Sequence, residues 1–411
     1  MTGAPGEILF LAHRIPFPPD RGDKIRSHHV LKALAKVAPV HVATFADDEG
    51  YDAARLDLEA LAASSHVAKR SLPLPLAGAQ ALLSGKPVSL TAFQDARLSY
   101  YVRNTLKQRN ISAIYVFSGQ MGQYIPAGWQ GRLVIDFVDV DSAKFEAYAG
   151  HGNPAMRLIN AREGRLLKAE EARLAARADA CLLVSDEEAE LFSARLPAPA
   201  NIRALYNGID TRTFDPFTIL PEPQLAAFPA PRLIFTGQMD YAPNVSAVQR
   251  AVKRLMPRIR AVRPEASFHI VGRNPSTEVR ALDGVAGCKV WGRVDNIAAY
   301  LRACDLALIP LEIARGVQNK VLEAMAMAMP VVVSRGAATG IGATEGRELA
   351  IGDDDDALVR LTLTLLRDRQ KAMTMGLAAR RYLEQNRSWA AALAPLPGLI
   401  GFPAQGVSDA A

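Results

Sequence analysis

Residues 312–334, EIARGVQNKVLEAMAMAMPVVVS, contain the most specific arrangement of potentially reactive side chains in the sequence. An apolar run ending at Pro310 predicts a strand, which is followed by a loop with Gly316 and then by a predicted helix. The amides of this loop and of the helix start, with Lys320 in the first turn, favour an anion. Glu323, further along the helix, is placed to accept hydrogen bonds from the vicinal hydroxyls of a ribose. The segment is therefore typical of a site for a phosphorylated ribose.

Residues 13–29, HRIPFPPDRGDKIRSHH, are a second candidate anion site. A predicted strand leads through several prolines to Gly22, where a helix is expected to open and backbone can approach a ligand. Arg21, Lys24 and Arg26 add positive charge. An ordinary loop with solvated charges is the alternative interpretation. The segment lacks the GxGxxG pattern, which argues against a nicotinamide cofactor.

The third candidate is VIDFVDVDSAKF, residues 134–145, in which three aspartates alternate with apolar residues at the end of a predicted strand. Strand alternation would place Asp139 and Asp141 on one face. Asp136, Asp139 and Asp141 suggest a metal site, but no cluster of His or Glu follows at ligand spacing. A helix cap is the alternative role for Asp141 and Ser142. Asp139 is also a candidate general base, because it would face a cleft at the end of its strand.

Short apolar runs alternate with longer amphipathic runs along the whole chain, which predicts parallel sheets covered by helices in two successive α/β domains. We expect strands at 7–13, 40–45, 113–118, 132–139, 180–185, 232–237, 267–272, 288–293, 306–310 and 330–334. We expect helices at 23–37, 91–109, 154–178, 245–262, 295–303, 318–328 and 357–385. Proline-rich residues 215–231 are interpreted as the linker between the domains. Ligands of such folds bind outside the carboxyl ends of the strands, so a cleft between the domains is the expected site.

The composition is that of a soluble globular protein, with 411 residues, 49% hydrophobic and 22% charged. The net charge of +6 divides into +2 for residues 1–205 and +4 for 206–411, so neither half is a basic nucleic-acid module. No apolar run is long enough for a membrane-spanning helix, and a cytoplasmic protein is expected. Residues 71–87 are apolar and are either a core helix or an exposed surface facing a membrane or lipid acceptor.

The segment at 312–334 resembles the signature of the GT-B glycosyltransferases of family 4, Glu-Gly-x-x-x-x-x-x-Glu-Ala-Met-Ala followed by a Pro-Val strand. The matching residues are Gly316, Glu323, Ala324, Met325, Ala326, Pro330 and Val331, whereas Arg315 stands where the first glutamate is usual. NGID with Phe214 and Pro216, FTGQMDYAPN (235–244) and VSDEEAELF (184–192) resemble further parts of these enzymes, so the similarity covers nearly the whole chain. HRIPFPPDRGDKIR, DFVDVDSAKF and RGVQNKVLEAMAM resemble a narrower subgroup, the sugar transferases associated with PEP-CTERM/exosortase exopolysaccharide loci.

The resemblance implies a GT-B fold, in which two Rossmann-like parallel-sheet domains face each other across a cleft. It implies transfer of a sugar, with retention, from a nucleotide-diphosphate sugar to a glycan or lipid-linked acceptor, without a bound metal or cofactor. The implied donor-binding residues are Gly22, Gly237, Arg315, Gly316, Val317, Asn319 and Glu323. Gln238 and Asn244 occupy the loop in which many relatives carry an Arg and a Lys. Arg273 and Lys320 are therefore expected to stabilise the leaving diphosphate, and Asp139 completes the expected catalytic set.

The expected domains are residues 1–205 on the acceptor side, residues 206–385 for the nucleotide sugar, and a tail at 386–411 that packs back toward the first domain. Two alternatives stay open at this point: a nucleotide-sugar epimerase or hydrolase of the same fold, and a non-catalytic scaffold subunit. The expected partners are the nucleotide sugar and the acceptor, with a transient contact at the inner face of the membrane and no nucleic acid. The sequence does not identify the sugar, the nucleotide, the acceptor, the linkage or the oligomeric state.

Overall fold

The computed structural model describes residues 6–19, 22–46, 51–70, 74–150, 154–312 and 317–403. They divide into two compact units. The first runs to Tyr206 and takes up the chain again from Leu393, and the second comprises Asn207–Ala392. The division lies next to the boundary expected at 205/206.

The first unit is built from strands that alternate with helices. Its strands are β1 (Glu7–Ala12), β2 (Val40–Ala46), β3 (Ser64–Lys69), β4 (Ile111–Phe117), β5 (Arg132–Val138), β6 (Ala180–Leu183) and β7 (Ile202–Ala204). Its helices are α1 (Gly22–Ala35), α2 (Tyr51–Leu61), α3 (Leu74–Ser84), α4 (Val88–Thr91), α5 (Ala96–Gln108), α6 (Asp141–Ala149), α7 (Pro154–Ala175) and α8 (Asp186–Arg195), and a 3₁₀ turn covers Gly119–Tyr124.

The second unit repeats this alternation. Its strands are β8 (Arg232–Thr236), β9 (Ser267–Val271), β10 (Cys288–Gly292), β11 (Leu306–Ile309), β12 (Val331–Ser334) and β13 (Ala350–Gly352). Its helices are α9 (Pro223–Ala226), α10 (Ala242–Arg250), α11 (Met256–Val262), α12 (Thr277–Arg280), α13 (Ile297–Arg302), α14 (Asn319–Ala326), α15 (Arg335–Ala338), α16 (Asp355–Arg367), α17 (Arg369–Asn386) and α18 (Trp389–Ala392). A π-helical turn at Ala251–Leu255 joins α10 to α11, and α19 (Leu396–Leu399) belongs to the first unit.

Both sheets are parallel, and the order of the strands shows where the direction of winding reverses, which is the switch point of each sheet. The first sheet has the order β3-β2-β1-β4-β5-β6-β7, and the second has the order β10-β9-β8-β11-β12-β13. The direction of winding reverses between β1 and β4 and again between β8 and β11. Because parallel crossovers are right-handed, the helices on either side of each reversal cover opposite faces and leave a crevice at the carboxyl ends of the strands. The strands are apolar on both sides because helices cover both faces.

All the strands expected from the sequence are present. The elements that the sequence did not predict are short or weakly apolar. β3 has the sequence SSHVAK and forms the edge of the first sheet, where partial burial demands little apolar surface. The helix expected at 91–109 is instead α4 and α5, because Asp95 caps the start of α5 by accepting a hydrogen bond from the Leu98 amide at 2.7 Å. The helix expected at 357–385 is likewise divided at Asp368, which caps α17.

Residues 215–231 are not the linker between the units, as the sequence suggested, because they lie within the second unit. Side chains and backbone of that unit hold them: Arg302 donates to the Pro216 carbonyl at 3.0 Å, and the Glu222 amide donates to the Ala299 carbonyl at 2.9 Å. The prolines of residues 215–231 therefore indicate an irregular segment that packs on the second unit.

A buried ion pair ties the switch point of the first sheet together. Arg26 of α1 and Asp136 of β5 are 1% and 0% exposed, and Arg26 Nε donates to Asp136 Oδ2 at 2.9 Å. The Tyr115 hydroxyl donates to the same oxygen at 2.7 Å, and Arg26 Nη1 donates to the Leu205 carbonyl at 2.7 Å. Arg26 is therefore not a cation for a ligand, and Asp136 is not a metal ligand, because each satisfies the other inside the core.

Removing one partner of this pair should destabilise the first unit strongly. Asp136→Asn leaves the Arg26 charge buried without its counter-ion, and we expect the free energy of unfolding to fall by about 3–5 kcal/mol. Chemical denaturation measures this. Breaking the exposed pair Arg55–Glu59 by Arg55→Met is the control and should cost less than about 1 kcal/mol. Similar small losses in both variants would contradict the structural role of Asp136.

Candidate functional site

The carboxyl edge of the second sheet brings together several of the predicted residues at the reversal between β8 and β11. Gly237 follows β8 with φ +153°, and a Cβ there would lie 2.8 Å from Asn244 Nδ2 and 3.3 Å from Lys320 Cε. A Cβ on Gly272, which follows β9 at φ +158°, would meet the Gly237 carbonyl oxygen at 1.6 Å. These two glycines therefore allow the loops after β8 and β9 and the start of α14 to come close together.

Both helices that begin at this reversal lack a side-chain cap. α10 follows Tyr241 and α14 follows Gln318, and neither of these side chains accepts a hydrogen bond from the helix that it precedes. Elsewhere in the same unit, α13, α16 and α17 are capped by Asn296, Asp354 and Asp368. The first amides of α10 and α14 thus have no side-chain cap at the point where a parallel sheet binds its ligand, which suits an anion.

Lys320 and Glu323 stand at the start of α14, one turn apart. Lys320 Nζ donates to Gln318 Oε1 at 3.0 Å and lies 5.5 Å from the centre of the Phe235 ring. Burial lowers the pKa of Lys320 to about 8 and raises the pKa of Glu323 to about 7, while the attraction between the two charges opposes both shifts. No described residue donates a hydrogen bond to the Glu323 carboxylate. The two charged groups are therefore poorly hydrated, and a polar ligand would compensate for the hydration that they lack.

Arg273 reaches this edge from the loop after β9. Its Nη2 donates to Gln238 Oε1 at 3.1 Å, and its carbonyl accepts from the Met239 amide at 2.8 Å. Asn274 Nδ2 donates to Asp240 Oδ2 at 3.3 Å, which joins the same two loops again. The exposed guanidinium of Arg273 is thereby positioned beside the loop that contains Gln238.

The sequence gave no indication of a buried polar atom in α10, the side-chain amide oxygen of Asn244. Asn244 is 4% exposed, its Nδ2 donates to the Gln238 carbonyl at 2.8 Å, and its Oδ1 has no hydrogen-bond partner among the described residues. The resemblance placed Asn244 in a loop where many relatives carry a cation, but the sequence gave no sign that its amide holds the loop after β8 in place.

The other predicted donor residues differ in what the structure says of them. Val317 is half-buried just before α14, and Asn319 is exposed as the first residue of that helix. Arg315 and Gly316 lie outside the described residues. Gly22 is the first residue of α1 in the first unit, and a Cβ there would meet nothing within 4 Å. Neither its own neighbours nor a positive φ requires glycine at that position.

The end of β5 in the first unit has a backbone conformation that is unusual for its side chain. Val138 has φ +69°, and Asp139 follows it at an exposed position. A left-handed β-branched residue is strained by about 1–3 kcal/mol, and such strain is found mostly at functional sites. Nearby protein raises the pKa of Asp139 by excluding water, with Lys144 and Arg26 opposing the shift.

Two interpretations of this aspartate-rich segment were wrong. Asp141 begins α6 rather than continuing β5, so strand alternation does not place it beside Asp139. The N-cap of α6 is Val140, so neither Asp141 nor Ser142 caps it, and Ser142 Oγ instead donates to Glu171 at 2.5 Å. Within the described ranges, no three His, Cys, Asp or Glu side chains are placed to hold a metal ion.

A second feature of the first unit that the sequence did not reveal is the pairing of His13 with Asp23. His13 Nε2 lies 3.4 Å from Asp23 Oδ2, and Arg14 Nη1 donates to the same oxygen at 2.7 Å. These hydrogen bonds and charges lower the pKa of Asp23 despite its partial burial, which alone would raise it. Asp23 at the start of α1 is therefore paired with His13 and Arg14 of the preceding loop.

Comparison with known proteins identifies the fold and one domain. Two α/β Rossmann-like units with parallel sheets are the GT-B fold, as predicted, and the solved structures that resemble this chain include glycosyltransferases of that fold. HepE from Anabaena, in complex with UDP and glucose, is 16% identical with a TM-score of 0.61 over 94% of this chain and 97% of that chain. Sucrose-phosphate synthase from Thermosynechococcus elongatus is 16% identical with a TM-score of 0.63 over 96% of this chain and 98% of that chain. These likenesses show the fold.

Residues 230–368 match the family model for glycosyl transferases group 1, so the second unit contains a domain of that type. A curated relative is the GDP-mannose-dependent monoacylated alpha-(1-6)-phosphatidylinositol monomannoside mannosyltransferase of Corynebacterium glutamicum. It is 29% identical over an alignment of 231 residues, which covers 51% of this chain. The match spans 59% of the length of that relative. The matched domain contains the whole β8–β11 edge described above.

The burial of Glu323 predicts a pH-dependent cost in stability. A carboxyl whose pKa is higher in the folded than in the unfolded state loses stabilisation as pH rises from about 4.5 to about 7. Glu323→Gln should therefore raise the free energy of unfolding at pH 8, by on the order of 1 kcal/mol or more, and change it little at pH 5. Denaturation at both pH values measures this, with the exposed Glu187→Gln as control. An equal effect of Glu323→Gln at the two pH values would contradict the burial of this charge.

Proposed function

We propose that the protein is a glycosyltransferase that takes a sugar from a nucleotide-diphosphate sugar bound at the β8–β11 edge of the second unit. The observation that carries the proposal is the pair of uncapped helix starts, α10 and α14, with Lys320 and Glu323 beside them. Helix starts without a side-chain cap and a neighbouring cation suit a diphosphate, and a carboxylate without a donor suits ribose hydroxyls. The HepE structures in complex with UDP and with UDP-glucose, and the GDP-mannose dependence of the curated relative, support this donor class.

In this proposal each residue has a defined task. Glu323 accepts hydrogen bonds from the ribose, and the amides around Gly237, Val317 and Asn319 meet the diphosphate and sugar. As the bond from the anomeric carbon to the phosphate oxygen breaks, negative charge grows on the diphosphate, and Lys320 and Arg273 stabilise it. An acceptor hydroxyl takes the sugar and gives up its proton, for which Asp139 of the first unit is the proposed base. Gly22, Arg315 and Gly316 complete the proposed donor contacts.

Finer parts of the proposal rest on the motifs. Retention of the anomeric configuration, hexosyl transfer and a role in exopolysaccharide biosynthesis follow from the resemblance to family 4 and to the exosortase-associated subgroup. No resident metal or cofactor has a part in the proposed reaction, because the two helix starts and the cations supply the positive charge that the diphosphate needs.

Donor binding tests the proposal directly. A nucleoside diphosphate or its sugar that binds only the folded protein raises the unfolding temperature. We expect one of the UDP, GDP, ADP or dTDP sugars to do so with the wild type, and Glu323→Gln to abolish most of the shift by removing the ribose contact. The exposed Glu278→Gln is the matched control in the same unit and should keep the full shift.

Turnover measurements complete this experiment. Lys320→Gln and Arg273→Gln should each lower turnover by about 10²-fold while changing donor affinity less, because the charge they meet grows in the transition state. Donor consumed at the same rate without any acceptor would indicate a hydrolase or epimerase. Absence of a shift with every donor, or the same shift in Glu323→Gln, would contradict the proposed donor site.

An exposed apolar patch supports a lipid-linked acceptor at a membrane surface. The idea that residues 71–87 form a core helix is wrong for the leucines of α3, because Leu76, Leu82 and Leu83 are 58%, 70% and 91% exposed while the helix buries Ala77 and Ala81. Exposed apolar residues also begin α7, and Arg162 of that helix donates to the Ala81 carbonyl at 2.8 Å, which joins the two helices. We call the set Leu76, Leu82, Leu83, Met156, Leu158 and Ile159 the leucine patch.

Cations near the leucine patch suit an anionic membrane. Lys69, Arg70 and Lys86 are exposed, and Arg70 lies 5.5 Å from the centre of the Phe93 ring. Each cation near such a surface contributes about 1 kcal/mol. The curated relative acts, by its name, on a phosphatidylinositol mannoside. Among the described residues no helix is both long and apolar enough to cross a bilayer. We therefore propose a reversible contact at the inner face of the membrane.

Liposome co-sedimentation tests this contact. We expect binding to vesicles with anionic lipid at low salt, loss of binding at high salt, and loss in Leu82→Ser/Leu83→Ser and in a Lys69/Arg70/Lys86 triple glutamine variant. Leu56→Ser, at another exposed leucine of the first unit, is the control and should bind like the wild type. No binding by the wild type at low salt, or binding unchanged in both variants, would contradict the contact.

A further inference from the structure

Two neighbouring cavities open at the start of α5 in the first unit, and both are lined by Ala96. One has a volume of about 330 Å³ and is lined otherwise by Lys86, Gln94, Asp95, Ser99, Gln123 and Tyr124. The other has a volume of about 390 Å³ and is lined otherwise by His66, Arg97, Tyr100, Tyr101 and Asn104. Together they form a groove that crosses the first turns of α5, with a polar half and an aromatic half. We call it the α5 groove.

The aromatic half offers flat rings at a solvent-exposed position. Tyr100 is 67% exposed, although it is a large and largely apolar side chain. His66 and Tyr101 stack with their ring centres 5.5 Å apart, and the Tyr101 hydroxyl is 2.6 Å from Ser64 Oγ. This hydrogen bond and the stacking fix the floor, whereas the Tyr100 ring remains available. Ring faces carry negative charge and attract the slightly positive C–H groups of an apolar ligand face.

The polar half is rigid and lies close to the carboxyl edge of the first sheet. Gln123 and Tyr124 belong to the turn that follows β4, where Gln123 Nε2 donates to the Leu90 carbonyl at 3.0 Å and the Tyr124 hydroxyl donates to the Phe93 carbonyl at 2.5 Å. The Asp95 amide in turn donates to the Tyr124 hydroxyl at 2.9 Å. These bonds hold the wall in one geometry before any ligand arrives.

Several hydrogen-bonding groups of the α5 groove have no partner within the described part of the chain. They are the ammonium of Lys86, the guanidinium of Arg97, the hydroxyl of Tyr100 and the side-chain amide of Asn104, which surround the two cavities. A ligand that fits must present both flat apolar faces and many hydroxyl groups. A saccharide chain has this combination, since each ring has an apolar face and a rim of hydroxyls.

We propose that the α5 groove binds the already assembled saccharide portion of the acceptor. The proposal rests on the transferase function, because a sugar-transferring enzyme of this kind must hold a growing glycan. The polar half lies at the edge of the first sheet that follows β4, and the aromatic half holds sugars further from that edge. Lys86 and Arg97 suit a glycan that carries carboxylates. The groove determines which acceptors are used without touching the donor.

Saccharide binding by the intact protein tests the proposal, with hexasaccharides of glucose, mannose, galactose and galacturonic acid as probes. Saturation-transfer NMR and calorimetry should detect binding of at least one of them. Tyr100→Ala should weaken that binding at least tenfold and Asn104→Ala measurably, whereas Tyr100→Phe should keep most of it because the ring remains. Tyr148→Ala, at another exposed tyrosine of the same unit, is the control and should bind like the wild type.

The outcomes separate this proposal from the transferase function. If nucleotide sugars bind but no hexasaccharide does, or if Tyr100→Ala binds as tightly as the wild type, the groove proposal is wrong and the donor site stands. If a hexasaccharide binds through Tyr100 but no nucleotide sugar raises the unfolding temperature, the groove is a glycan site of a protein that is not a transferase. Binding of a proline-rich decapeptide through Tyr100, with no saccharide bound, would assign the groove to a peptide instead.

Discussion

At the reversal between β8 and β11, the right-handed crossover of parallel strands sends successive helices to opposite faces of the sheet. α10 and α14 therefore begin at one crevice, and neither helix start has a side-chain cap. Unsatisfied amides at helix starts need water or a ligand. The rest of the second unit follows from this arrangement: two glycines that let the loops approach, a lysine beside the amides, and a carboxylate one turn further on.

Charges are buried in two different ways in the two units. Arg26 and Asp136 satisfy each other with several hydrogen bonds, so their burial contributes to a stable first sheet. Lys320 and Glu323 are half-buried, and their pKa values move toward neutrality because the surroundings do not compensate their charges fully. The first arrangement is typical of a structural pair. The second is typical of a site that gives up stability to hold a ligand.

Structural features that depend on residues close together in the sequence were predictable, whereas features that depend on residues far apart in the sequence were not. The parallel sheets and the α14 segment were predictable, because apolar periodicity and the Gly316–Glu323 spacing are local signals. The role of Asp136 was not, because its partner Arg26 is 110 residues away. The sequence could not decide between a buried and an exposed position for Leu82 and Leu83 for a related reason: α3 packs through Ala77 and Ala81, which only the folded structure reveals.

The same reasoning applies to the loops and the groove. The fit of Gly272 against Gly237 and the position of Lys320 beside them depend on three separate loops meeting at one edge. In the α5 groove, His66 and Tyr101 come from different parts of the chain, and no spacing in the sequence relates them. Contacts between distant parts of the chain determine the detailed geometry of the site. The motifs and the apolar pattern of the sequence predict only where on the fold the site lies.

The most direct measurement of the central claim is a crystal structure of the protein with the nucleoside diphosphate that stabilises it best. The account predicts ribose hydroxyls within hydrogen-bond distance of the Glu323 carboxylate and the diphosphate oxygens within hydrogen-bond distance of Lys320 Nζ and the first amides of α10 or α14. A nucleotide bound elsewhere in the second unit, or bound at this edge with Glu323 and Lys320 both facing away from it, would contradict the account.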